Sequence, residues 1–355
     1  MFQSFTVKNF RCFRELTLAP LERINLIAGK NNSGKTALLE AIHLHSYPCD
    51  CELPFLINER RGMDSEKKYD EKSCERLFFD KKEDSGVELL SKNEKGEVRT
   101  LQIWLLNPVN ARLKFPDLAL EEQKLKFPPT DPRFRWIILK ANTNEKDTFS
   151  FAVPQGERFL PASSNHTPWN GPSIFLGSAG RSPNKDVLAF SNLELANRQE
   201  EILPPLHFLE PRLQRLSILL LAEQPVIHGR LDGLSRMVPV QFMGEGVRRL
   251  LSILLAINEA KGGNILIDEI ENGLHYSVLK DVWQAIALAA RMADVQVFAT
   301  THSYECIQAA SQAFQAQETN GLRHFRLDRI QDEIRLAVYT QEILNFAIEM
   351  THEVR

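Results

Sequence analysis

Short apolar runs separated by polar turns make up most of the chain, and few of them are long enough for a helix. Phe5-Thr6-Val7-Lys8 and Glu15-Leu16-Thr17-Leu18 predict two short strands, joined through Asn9-Phe10-Arg11-Cys12-Phe13. Ile24-Asn25-Leu26-Ile27-Ala28 reads as a third strand, and Ala37-Leu38-Leu39-Glu40-Ala41-Ile42 after it is built of strong helix formers. Between Val87 and Val153 the runs Val87–Leu90, Thr100–Trp104, Arg135–Leu139 and Thr148–Ala152, with a hairpin turn at Asn93–Gly96, predict an antiparallel subsheet. Prolines leave Asn107–Arg133 unassigned. After a polar loop at Ser163–Pro172 comes the strand Ser173–Leu176, then Gly177-Ser178-Ala179-Gly180-Arg181. Helical spacing over Asp186–Glu201 and Pro204–Ala222, the second carrying Leu213, Leu216, Leu219 and Leu220, predicts two helices before the turn-rich stretch Gly229–Val238. The remainder reads as a long apolar helix behind Gly244 and Gly246, strands at Ile265–Ile267 and Val295–Thr300, strands Leu322–Arg329 and Ile334–Tyr339, and a helix from Gln341 to about His352.

Composition adds limits rather than a function. At 355 residues and 43% hydrophobic the chain can bury a large core, as one large domain or two smaller ones. Lys and Arg number 43 against 46 Asp and Glu, a formal net charge of −3, so no global basic field draws the chain onto nucleic acid. The absence of an apolar run of about 18 residues, and of a charged and apolar leader at Met1-Phe2-Gln3-Ser4-Phe5, leads us to expect a cytoplasmic protein without membrane contact. A charged stretch over approximately residues 48–85, with Glu59-Arg60-Arg61, Glu66-Lys67-Lys68 and Lys81-Lys82-Glu83-Asp84, reads as a solvated insertion. Cys12, Cys49, Cys51, Cys74 and Cys306 are odd in number and scattered, which favours reduced thiols. His43, His45, Cys49, Cys51 and Cys74 are of zinc-ligand type, but the histidines lie two apart on a helix and no C-x-x-C pair exists. Ordinary helix-end and loop residues are the default reading there.

Phosphate chemistry is written at Gly29-Lys30-Asn31-Asn32-Ser33-Gly34-Lys35-Thr36, which matches G-x-x-x-x-G-K-[ST] between a strand and a helix. Glycines at both ends let the backbone curl so that N–H groups from Asn31 to Ala37 converge on phosphate oxygens at a positive helix end. Lys35 is then set against the β- and γ-phosphates of ATP, and the Thr36 hydroxyl is set to hold Mg²⁺.

Ile265-Leu266-Ile267 runs into Asp268-Glu269, an apolar strand ending in two carboxylates. Beside a phosphate loop, Asp268 suits the Mg²⁺ shell and Glu269 suits the orientation of an attacking water. A third strand delivers Thr301-His302-Ser303 to the same sheet edge, where His302 can sense the γ-phosphate. Gly244-Glu245-Gly246 opens the long helix, either as a second anion cradle or as a simple glycine cap.

In this order the motifs resemble those of ABC-type ATPases of the SMC/RecF branch, and most closely the bacterial AAA ATPases related to the OLD (overcoming lysogenization defect) family. Phe5–Arg11 is similar to that family's first strand and basic turn, Gly29–Thr36 to its Walker A loop, Gly244–Gly246 to its signature, and Asp268-Glu269 to Walker B. Glu271-Asn272-Gly273-Leu274-His275 is similar to the D-loop, and His302 to the switch histidine. The resemblance implies an α/β ABC-type P-loop head with a central mainly parallel sheet, an antiparallel β subsheet and a helical lobe. It implies lobe I over approximately residues 1–178 and 262–355, and lobe II over approximately 179–261. It further implies a homodimer with ATP and Mg²⁺ sandwiched between copies. Lys35, Thr36, Asp268, Glu269 and His302 act in cis, and Gly244, Glu245 and Gly246 act in trans.

Three departures qualify the likeness. The signature reads Met-Gly-Glu-Gly where Leu-Ser-Gly-Gly is common, no glutamine stands in Leu176–Arg181 where a Q-loop is expected, and Arg181 is the candidate substitute. The residues after His302 are expected to complete a head without room for a Toprim nuclease, and no heptad run predicts a coiled coil. The expected function is an ATPase whose dimerisation switches a separately encoded nuclease or toxin in antiviral defence. The alternative is a RecF-like DNA-binding clamp, with Arg60-Arg61, Lys67-Lys68, Lys81-Lys82, Arg212 and Arg215 as local basic candidates. A transporter subunit is the third possibility.

Overall fold

The computed structural model describes residues 1–59, 61, 74–81, 85–116, 135–143, 146–155, 158–161, 168–169, 171–315 and 321–355. Much of the charged insertion, including Arg60, Lys67, Lys68 and Lys82, lies outside the described residues, as does most of Asn107–Arg133.

In chain order the elements are β1 (Phe2–Phe10), β2 (Phe13–Leu18), β3 (Ile24–Ala28), α1 (Lys35–Ser46), α2 (Leu53–Glu59), β4 (Val87–Asn93), β5 (Val98–Leu106), α3 (Pro108–Lys114), β6 (Trp136–Thr143), β7 (Lys146–Gln155), β8 (Arg158–Pro161) and β9 (Ser173–Leu176). After them come α4 (Pro183–Leu195), β10 (Leu213–Leu221), β11 (Gln224–Leu231), β12 (Val238–Pro239), α5 (Glu245–Glu259), β13 (Asn264–Ile267), α6 (Leu279–Met292), β14 (Gln296–Thr301), α7 (Tyr304–Gln315), β15 (Leu322–Ile330), β16 (Glu333–Tyr339) and α8 (Gln341–Glu349).

Two sheets carry the architecture. A six-stranded sheet runs β16-β15-β3-β14-β13-β9, parallel except where β16 returns antiparallel along β15. A seven-stranded antiparallel sheet runs β2-β1-β4-β5-β6-β7-β8. Period-two alternation assigns each strand residue to one side of the parallel sheet. Ile24, Leu26, Ile265, Ile267, Val297 and Ala299 pack with Leu254, Trp283 and Ile307 of the outer helices, whereas Ile27, Leu266 and Phe298 pack towards α1. Helix α1 is the shared filling between the sheets: it touches β1 and β4 on one side and β9, β13 and β14 on the other. Every residue of α1 except Thr36 is buried. Because β3, β13 and β14 are parallel and in register, Ala28, Ile267 and Thr301 end at one edge, and the loops after them share it.

One expectation is corrected. Pro204–Ala222 is not one helix: only the short turn Leu203–Leu206 is helical, and Leu213–Leu221 is strand β10, paired with β11 in a small sheet β10-β11-β12. The connecting residues Ala222 and Glu223 have φ of 47° and 66°, the backbone of a two-residue type I′ hairpin, and they lack the Asn-Gly or Asp-Gly that usually signals it. Inward Leu213 and Leu216 join the core under α4 and α5, while Leu219, Leu220 and Leu221 stay exposed at the tip. The helix expected over Asp186–Glu201 is α4, which starts at Pro183 and stops at Leu195.

The zinc-type residues hold other partners. His43 Nδ1 lies 3.1 Å from Ser173 Oγ, and His45 Nε2 lies 3.2 Å from the Arg99 carbonyl, packed edge-on to Phe5. Among the described residues no three His, Cys, Asp or Glu side chains gather as a metal site. Burial pulls both His45 and His324 down from 6.5 to about 4. The unfolded chain therefore takes up protons on them first as pH falls, so their stabilising effect is whole above about pH 6.5 and is lost towards pH 4, on the order of 3 kcal/mol each. Urea unfolding at pH 7.5 and pH 5.0 measures this, and equal stabilities at the two would count against it.

Candidate active site

The loop after β3 has the backbone that a phosphate cradle needs. Gly29 and Gly34 sit at φ 151° and 96°. A Cβ on Gly34 would meet Cys12 Sγ and Phe13 Cζ at 2.8 Å, and one on Gly29 would meet the Leu327 carbonyl at 2.6 Å, so neither position tolerates a side chain. Gly34 is also the residue before α1, which leaves the helix N–H groups open at the loop. Asn31, Asn32, Ser33, Gly34, Thr36 and Ala37 line a cleft of about 910 Å³.

Lys35 curls back over its own loop. Its Nζ donates to the carbonyls of Gly29 (2.6 Å) and Lys30 (3.0 Å). Burial pulls the lysine below its ordinary value, against the opposing pull of Asp268, Glu269 and Glu271. A buried ammonium whose partners are two loop carbonyls is poised for exchange onto anionic oxygens.

Asp268, at the end of β13, is bracketed by two hydroxyls: Thr36 Oγ1 donates to Oδ2 at 2.9 Å, and Thr300 Oγ1 to Oδ1 at 2.6 Å. The next residue turns sharply, with Glu269 at φ 49° and its N–H donating to Thr300 Oγ1 at 2.8 Å. Such a backbone costs a non-glycine residue energy and aims the Glu269 side chain at the cleft it lines. His302 follows β14, half exposed, with Nδ1 3.2 Å from Glu271 Oε1 and 4.0 Å from Glu269 Oε1.

The sequence-derived residues thus fall into two groups. The loop, Lys35, Thr36, Asp268 and Glu269 surround one cleft, with His302 beside Glu269. Gly244, Glu245 and Gly246 do not line it. They stand at the exposed start of α5, next to the Glu271–His275 turn, where a Cβ on Gly273 would lie 3.3 Å from Glu245 Oε1. Arg181, the suggested Q-loop substitute, is instead bound by Glu259 and by Asp186 at 3.4 Å, away from the cleft.

Sequence reasoning missed the cationic wall. Arg11, Arg14, Arg61, Arg76 and Arg329 come to the cleft from four separate parts of the chain. Arg11 and Arg61 share Glu40, a buried carboxylate of α1, each with a nitrogen 2.8 Å from it. Arg11 in the first basic turn and Arg61 in the charged stretch carried a signal of positive charge, but nothing in the sequence placed either beside the phosphate loop, and Arg14, Arg76 and Arg329 carried none.

The chain is similar to known proteins in sequence and in fold. The family model described as "AAA domain, putative AbiEii toxin, Type IV TA system" matches residues 106–307, and that described as "AAA ATPase domain" matches residues 1–151. An ATP/GTP phosphatase of Helicobacter pylori is 25% identical over 350 residues, 90% of either chain. The DNA replication and repair protein RecF of Idiomarina loihiensis is 50% identical over 42 residues, 12% of either chain. Among solved structures, an SMC head bound to the C-winged helix domain of ScpA superposes with a TM-score of 0.50 at 14% identity, over 96% of this chain and 98% of that one. The fold is that of an SMC/RecF-like ATPase head. Among the described residues, no helix is long and apolar enough to cross a membrane.

Proposed function

Because the chain belongs to the family described as "AAA domain, putative AbiEii toxin, Type IV TA system", we propose that it binds and hydrolyses ATP with Mg²⁺ and pairs with a second copy of itself around the nucleotide. The observation that carries this reading is Asp268, bracketed by Thr36 and Thr300, with Lys35 on the loop and Glu269 and His302 at the same edge.

The residues fit both ligands. Thr36 and Asp268 are the hard oxygen donors that Mg²⁺ takes, and they already converge. Ser33 Oγ, on the wall of the cleft, is buried without a hydrogen-bond partner. When bound, Mg²⁺ supplies charge neutralisation to the phosphate oxygens. The loop N–H groups hold the phosphates, and the Lys35 ammonium leaves Gly29 and Lys30 for them. Glu269 orients the attacking water and accepts its proton, and His302 contacts the γ-phosphate. Gly244 to Gly246 of the second copy cover the outer side and exclude bulk water. The exposed start of α5, outside its own cleft, supports that arrangement in trans. We assign the hydrolytic half to lobe I, approximately residues 1–178 and 262–355, and the covering half to lobe II, approximately 179–261.

The output we propose is the switching of a separately encoded nuclease or toxin in antiviral defence, a reading that rests on the resemblance to the OLD-related ATPases. Size-exclusion chromatography with light scattering, with and without Mg²⁺ and ATP, tests the pairing: the nucleotide is expected to double the mass, and an unchanged monomer that still turns over ATP would sink the composite site.

A DNA clamp is the second reading, favoured by the local likeness to RecF. Two of its basic candidates already hold acidic partners, Arg61 sharing Glu40 with Arg11 and Arg212 pairing with Glu210. Gel shifts across a salt series decide it, since true phosphate contacts weaken steeply with salt.

A further inference from the structure

We propose that the turn Glu271-Asn272 positions both hydrolytic side chains, Glu271 orienting His302 and Asn272 orienting Glu269. This rests on the nucleotide-hydrolysing reading above and deepens it by giving work to two residues that do not line the cleft.

Glu271 grips His302 twice with one oxygen. Its Oε1 accepts the backbone N–H of His302 at 2.9 Å and lies 3.2 Å from ring Nδ1. The first contact fixes where the loop after β14 sits, and the second sets the carboxylate against the Nδ1 side of the ring. With Nδ1 facing this carboxylate, Nε2 is the nitrogen left for a ligand. The Glu271 side chain is 10% exposed, and its second oxygen is buried without a hydrogen-bond partner. A turn that served only as a connection would gain nothing from burying a half-satisfied carboxylate there.

Asn272 does the same for the other strand end. Its Nδ2 donates to Glu269 Oε2 at 2.7 Å, while the Glu269 N–H is held by Thr300. Glu269 is therefore fixed at backbone and side chain, and its Oε1 stays 4.0 Å from His302 Nδ1. Adjacent residues of one turn thus reach the groups delivered by β13 and by β14. The same turn runs on to Gly273, beside Glu245 at the start of α5, so the grip on both groups lies next to the surface that the second copy would meet.

A double-mutant cycle tests the assignment. Glu271→Ala is expected to lower kcat for ATP on the order of tenfold to a hundredfold, with KM nearly unchanged. Glu271→Gln keeps an acceptor oxygen and should restore most of the loss. In a His302→Ala background, Glu271→Ala should cost nothing more, because its effect travels through the ring. Asn272→Ala should likewise lower kcat alone and add nothing to Glu269→Gln. Equal fold-losses in both backgrounds, or a loss confined to KM or to melting temperature, would overturn the role of the turn. Unchanged turnover in His302→Ala alone would instead overturn the reading of the site itself, and the Glu271 assignment with it.

Discussion

Glu269→Gln will slow ATP turnover by about 100- to 10,000-fold and leave nucleotide binding intact, so that the ATP-bound pair of chains accumulates. The substitution keeps the length of the side chain, and an amide can still meet Asn272, which now holds Glu269 Oε2 at 2.7 Å. What it removes is the ability to take a proton from water. Phosphate contacts from the loop N–H groups, Lys35 and Thr36 are untouched, because they come from a different strand end. The measurement is steady-state phosphate release beside the mass of the ATP-bound species. Hydrolysis at the unsubstituted rate would show that Glu269 is not the base.

Lys35→Ala will raise the dissociation constant for ATP about tenfold to a hundredfold, the worth of one or two charge-assisted hydrogen bonds. Thermal stability should hardly fall. Burial keeps the charged form of Lys35 disfavoured in the folded chain, so at neutral pH its removal relieves a cost that offsets the loss of its bonds to the Gly29 and Lys30 carbonyls. Titration with a fluorescent ATP analogue gives the affinity, and calorimetric melting gives the stability. An unchanged affinity would mean that the ammonium stays on its own loop when nucleotide binds.

How legible each part was depends on whether its physics is local. The loop Gly29–Thr36 could be read because its conformation demands glycine at two fixed places, where Cys12, Phe13 and Leu327 leave no room for a Cβ. Asp268 could be read because an apolar strand ending in acids is a short-range pattern; its second hydroxyl partner, Thr300, lies on another strand and could not. Helical spacing misassigned Leu213–Leu221 because a bulge between Leu213 and Arg215 brings Leu213 and Leu216, three apart, to the same buried side, and Ala222-Glu223 gives no turn signal. The arginine wall depends wholly on long-range folding, since Arg11 and Arg329 are neighbours only once the sheets are assembled.

Helix α1 has no face towards water, and this limits how the molecule can move. A displacement of the helix relative to either sheet would open voids in the interior beside it, and tightly packed interiors resist this. The phosphate loop runs straight into the first turn of that helix at Lys35 and Thr36, so it must travel with both sheets as one rigid body. In mechanical terms it is a fixed jaw. Whatever stroke the nucleotide drives must be delivered by parts clamped on fewer sides, and the half-exposed loop of His302 and the start of α5 are of that kind.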